Sequence, residues 1–133
     1  MKVEINNPLQ LCIEVVKLDE RMPSMRVQVA MESVQFGHTL RYQGYMWLDC
    51  ATWDTFVLDL RRLDEGGAEL KDMGRHFTLQ IKMTSEKPTL VWRFENKAVA
   101  GDAASAEFRA HLDEDELGSI RDQFAQFERW WSL

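Results

Sequence analysis

Three histidines, two cysteines and one run of acids are the residues whose chemistry has to be weighed first. His38, His76 and His111 lie far apart in the chain, and none has a second ligand-type residue at helical or hairpin spacing. A zinc site needs three or four such side chains converging on one point. Nothing in the spacing brings these together, and solvated surface histidines account for them. Cys12 and Cys50 show no metal-ligand spacing, and two free thiols suit a reducing compartment better than a disulfide scaffold. Cys50 stands just before an expected helix, where a helix N-terminus can lower a thiol's pKa and make it a nucleophile. Asp49 beside it opposes a thiolate, and no histidine is placed to act as its base, so Cys50 reads as a small, semi-buried packing residue. The run Asp113-Glu114-Asp115-Glu116 has no glycine at the spacing of a calcium loop. Acids in a first helical turn complement the helix dipole, which explains the run better. Gly66-Gly67 is followed by no lysine-serine pair and no helix, so it is not a phosphate loop. The expectation is a non-enzymatic protein with no catalytic residues, no cofactor and no metal.

The aromatic residues offer binding rather than catalysis. Trp53, Trp92 and Trp131 fall at core positions of the hydrophobic pattern. Tyr45 and Trp47 fall on the polar face of an expected strand, beside Arg41 and Gln43. Trp130 points away from the apolar stripe of the last helix, among Asp122, Gln126 and Arg129. Exposed Trp, Tyr and Arg carry much of the energy at protein interfaces. Arg41, Gln43, Tyr45, Trp47 and Trp130 are therefore the expected partner-binding residues. The alternative is that a loop, the chain end or a twisted sheet edge covers the aromatics.

The elements that must position these residues are legible as a change of period. Alternation with period two runs through residues 9–17, 25–34, 39–48, 76–83, 89–96 and 104–112, with a shorter strand near Ala68 to Asp72. Clean alternation means one wet and one dry face, as in an antiparallel sheet covered on one side. Trp53, Phe56, Val57, Leu60 and Leu63 fall on one helical stripe, with Thr52 as candidate N-cap and Gly66-Gly67 as a stop signal. Leu117, Ile120, Phe124, Phe127 and Trp131 form another, opened by Asp113 and Glu116 at capping-box spacing. The expected fold is α+β: a single antiparallel sheet of about six to seven strands, in the order βββ-α-ββββ-α. Both helices should pack on the face that bears Ile13, Val29, Leu79, Trp92 and Phe108. No linker, internal repeat or low-complexity segment stands out, so residues 1–133 read as one domain.

The totals narrow the partner class. With 133 residues, 45% hydrophobic and 29% charged, the chain has ordinary globular composition. Its net charge of −6 disfavours nucleic acid, which needs cations to displace phosphate counterions, and disfavours an anionic membrane surface. It is compatible with a basic protein partner. No basic-then-apolar leader and no apolar run of spanning length is present, and the expected location is cytoplasmic.

Pattern similarity over nearly the whole chain adds a specific expectation. The opening MKVEINNPLQLCIEV, the segment TWDTFVLDLRRLDEGGAEL, the strands HFTLQIKM and LVWRFENK, and the closing EFRAHLDEDELGSIRDQFAQFERWW carry it. In these segments the chain resembles WapI-type immunity proteins of bacterial polymorphic-toxin systems, and related bacterial domains. Related members often carry a Gly-His turn between the two middle strands, where this chain has Thr84-Ser85-Glu86-Lys87-Pro88. The resemblance implies an antitoxin that neutralises a cognate toxin domain by binding it. It assigns no binding residues, because the matched positions are core and cap positions. The alternative function is a small structural or ligand-binding domain that acts as a homodimer, so monomer and homodimer both stay open.

Overall fold

The computed structural model describes residues 1–63 and 66–132. Strands β1 (Lys2–Ile5), β2 (Gln10–Asp19), β3 (Ser24–Gln35) and β4 (His38–Asp49) form an antiparallel meander, and helix α1 (Cys50–Arg62) follows. Strands β5 (Ala68–Lys71), β6 (Phe77–Thr84), β7 (Lys87–Lys97) and β8 (Ala103–His111) form a second meander, and helix α2 (Glu114–Gln126) follows. The class is α+β and every pairing is antiparallel. The single sheet of six to seven strands in the order βββ-α-ββββ-α is not what forms. There are two separate four-stranded sheets, and the order is ββββ-α-ββββ-α. Two physical reasons account for the difference. β1 is four residues long, too short for its alternation to stand out. Period two also reports which face a residue takes, and says nothing about which strands are neighbours.

The two sheets belong to two versions of one unit, against the expectation that no internal repeat exists. One constant shift in number carries Trp53, Phe56 and Leu60 of α1, and Leu63 just after it, onto Leu117, Ile120 and Phe124 of α2, and Phe127 just after it. The same shift carries Leu48 onto Leu112 and the N-cap Asp49 onto the N-cap Asp113. Apart from the Leu48–Leu112 and Asp49–Asp113 pairs, what repeats along this stretch is apolar character rather than identity, and so the repeat leaves little visible sequence period.

The two units are interlocked. α1 lies against β5 of the second unit, and α2 lies against β1 of the first. The helices meet through aromatic rings, with centroids of Trp53 and Phe124 5.2 Å apart, Phe56 and Phe124 4.8 Å apart, and Trp53 and Phe127 4.6 Å apart. Arg121 Nε donates to the Leu60 carbonyl at 2.8 Å, placing a cation on one of the free carbonyls at the C-terminal end of α1. Between the sheets, Tyr42 on β4 sits 5.0 Å from both Trp92 and Phe94 on β7. Gly44, two residues along the same strand face, leaves room for the Tyr42 ring. A Cβ there would stand 2.5 Å from the Tyr42 hydroxyl oxygen. Ile13, Val29, Leu79, Trp92 and Phe108 are all buried in one continuous core, as expected, but the five come from two sheets.

The caps differ from expectation in one case. Asp49, not Thr52, caps α1, accepting the Ala51 N–H at 3.2 Å. Asp113 and Glu116 form the expected capping box on α2. α2 ends at Gln126, earlier than its stripe suggests, and Trp130 and Trp131 belong to the tail beyond it.

Truncating the inter-helix rings tests this arrangement. Phe56→Ala and Phe124→Ala should each cost about 3–5 kcal/mol in urea unfolding. Because the rings touch, the double variant should depart from additivity by roughly 0.5–3 kcal/mol.

Candidate partner-binding cleft

The groups considered for catalysis take structural places. Cys50 is the first residue of α1 and is buried. Burial, followed by the charges of Asp49 and Asp54, pushes its thiol up to about 11. The helix N-terminus does not overcome these effects, and the side chain remains a protonated thiol at neutral pH. His76 Nδ1 lies 3.2 Å from the Glu95 carbonyl oxygen, and His111 Nδ1 lies 3.0 Å from Thr89 Oγ1. His38 is exposed at the start of β4. Among the described residues, no three His, Cys, Asp or Glu side chains gather as a metal-holding group. Also among them, no helix is long and apolar enough to cross a membrane.

The outward row of β4 is where a surface site takes shape. Arg41, Gln43, Tyr45 and Trp47 alternate with the inward Tyr42, Met46 and Leu48. The row divides into two concavities. Arg41 and Gln43 line a shallow groove of about 230 Å³ with Cys12 and Ala30, and Arg41 is ion-paired to Glu32 at 3.3 Å. Tyr45 and Trp47 line a larger cleft of about 510 Å³ with Met46 and Ser24. Trp130 lines neither. It is half-buried in the C-terminal tail, packed edge-on against Trp131, whose Nε1 donates to Asp54 of α1 at 3.0 Å.

Two turns wall the larger cleft. The β2–β3 turn supplies Asp19 and Met22, and the β5–β6 turn supplies Asp72, Met73 and Gly74. Each turn is fixed by its own acid. Asp19 Oδ1 accepts the N–H of Arg21 at 3.0 Å and of Met22 at 3.3 Å, the turn-forming habit of aspartate. Asp72 Oδ1 accepts the N–H of His76 at 2.8 Å and of Phe77 at 2.9 Å. The Met73 N–H then donates to the Trp47 carbonyl at 2.8 Å, which fastens the β5–β6 turn onto β4. The result holds two methionines out in solvent beside the aromatics. Met22 is 69% exposed, Met73 51% and Tyr45 55%, while Trp47 is half-buried between them. The Arg26 guanidinium stacks 4.6 Å over the Tyr45 ring.

The methionines and the two acids were missed in reading the sequence, because turns have no period. A signal did exist. Met22 sits in a polar, proline-containing turn and Met73 sits beside Gly74, where a large apolar side chain has no core to fill. Below the cleft, the Tyr42 hydroxyl titrates above its usual range, first through burial and then through the charge of Asp72.

The thiol gives a direct check on the local electrostatics. Cys50 should resist alkylation at pH 8 in the folded protein and react once urea unfolds it. Its folded pKa lies above the unfolded value of 9.0, so the stability it lends is complete below pH 9.0 and is lost as pH climbs towards about 11. Cys50→Ala should flatten that alkaline decline in a pH series of thermal melts. Comparison with protein-family models, with curated proteins and with solved structures finds no match to this chain.

Proposed function

We propose that this chain is a non-enzymatic binding module that engages a protein partner through the Tyr45–Trp47 cleft. The observation that carries the reading is the exposure of Met22, Met73 and Tyr45 around the half-buried Trp47 at the mouth of one concave, mainly apolar site. Aromatic anchors supply contact area at little entropic cost, and methionine, flexible and polarisable, fits irregular partner surfaces. The net charge of −6 favours a basic partner through long-range steering. The specific form proposed is an immunity protein, cytoplasmic, that neutralises a cognate toxin domain by direct binding. The resemblance in the strand and helix segments supports that form.

The test is a calorimetric titration of the purified chain against the protein encoded by the neighbouring gene. Trp47→Ala should weaken binding by about 2 kcal/mol or more and leave the melting temperature nearly unchanged. Charge reversal at Arg41, which lies in the adjoining groove, should cost less, and its effect should shrink as salt rises. A Trp47→Ala variant that melts early and keeps its partner affinity would overturn the reading.

A further inference from the structure

The chemistry of the cleft wall narrows the partner group that fits it, on the reading that this cleft is the binding face. Asp72 is only 8% exposed, yet it is among the residues that line the cleft. Its Oδ1 takes both turn N–H groups, which leaves Oδ2 without a protein donor among the described residues. Asp19 on the opposite wall uses Oδ1 in the same way. Neither acid takes part in an ion pair among the described residues, and no Lys or Arg lines the cleft. The same cleft is lined by Tyr45, Trp47, Met22 and Met73. An apolar slot with carboxylates on two sides suits a flat cation on an apolar stem. Its planar face can stack on an aromatic ring while its edge donates hydrogen bonds to carboxylate oxygens. One such pair already exists beside the cleft, where Arg26 of the neighbouring strand β3 lies over the Tyr45 ring.

We propose that the Tyr45–Trp47 cleft takes an arginine side chain presented by a basic polypeptide partner, with Trp47 as its stacking surface and Asp19 and Asp72 as its carboxylate acceptors. The flanking methionines cover the residues on either side of that arginine. The ion pairs form at the wall of an apolar slot, where water competes less for the guanidinium than at an open surface.

The probe is acetyl-Leu-Arg-Leu amide, with acetyl-Leu-citrulline-Leu amide as a neutral analogue of the same shape. Titration into the labelled full chain is followed by NMR at the Trp47 indole N–H and the Met22 and Met73 methyl groups. The arginine peptide should shift these three signals saturably, with Kd on the order of 1 mM for a single anchor. The citrulline peptide should bind at least about tenfold more weakly, the size of effect one lost charge-assisted hydrogen bond gives. Asp19→Asn with Asp72→Asn keeps a carbonyl oxygen for each turn N–H, removes the charge and turns the second carboxylate oxygen from an acceptor into an amide donor. That variant should melt close to the unaltered chain and lose at least about tenfold in affinity for the arginine peptide. If it does not fold, the two peptides on the unaltered chain still decide. Equal binding of both peptides, or an arginine peptide that leaves Trp47 unmoved, overturns the arginine assignment. If Trp47→Ala nonetheless loses the protein partner, the binding face stands without it; if Trp47→Ala keeps the partner, both readings fall.

Discussion

The tilted and edge-on rings of Trp53, Phe56, Phe124 and Phe127 between the helices are the contact on which the rest of the structure depends. Each sheet in isolation would expose an apolar face. Neither helix remains wholly with the unit it closes, since α1 reaches β5 and α2 reaches β1. The inter-helix rings therefore hold two half-cores together as one. The aromatic core carries a local expense: the indole Nε1 atoms of Trp53, Trp92 and Trp130 are buried without a hydrogen-bond partner among the described residues. Leaving a buried donor unpaired costs about 1–3 kcal/mol. The apolar area of a fully buried tryptophan offsets a cost of that size.

The site gains rigidity from the same economy of parts. Asp19 and Asp72 shape their turns with one carboxylate oxygen each, and the Met73 N–H ties the second turn to β4. The cleft is thus built across the join between units, with its floor on the first sheet and one wall from the second. A partner meeting such a surface finds the backbone already arranged, and the ordering cost of binding falls mainly on the two methionine side chains.

How much of this the residues disclose varies with the range of the interaction. Ile13, Val29 and Leu79 announce their face by alternation, and Asp113 with Glu116 announces a helix start, because both are local rules. The row of Tyr45 and Trp47 was legible for the same reason, and so was the protonated state of Cys50 beside Asp49. Sheet membership was not, because nothing in β4 or β5 records that α1 separates them into different sheets. The repeat was hidden because corresponding positions such as Trp53 and Leu117 share apolar character but neither identity nor size. The walls of the cleft come from residues some fifty positions apart in two turns, and only the folded chain brings Met22 to Met73. Trp130 shows the opposite failure. Its helix ends sooner than the stripe implies, so a position counted along that helix places it wrongly.

The reach of α2 back to β1 has a consequence for the order of events on the ribosome. β1 precedes every other strand described, and the helix that lies against it is made after both sheets. At about 5–20 residues per second, β1 waits on the order of ten seconds for that partner. Until α2 is made, the inner face of the first sheet, with Val3 and Ile5 at its margin, has no cover from that helix. Long-range closure of this kind slows folding. The same delay leaves an interval in which that apolar face is open to contact with neighbouring molecules.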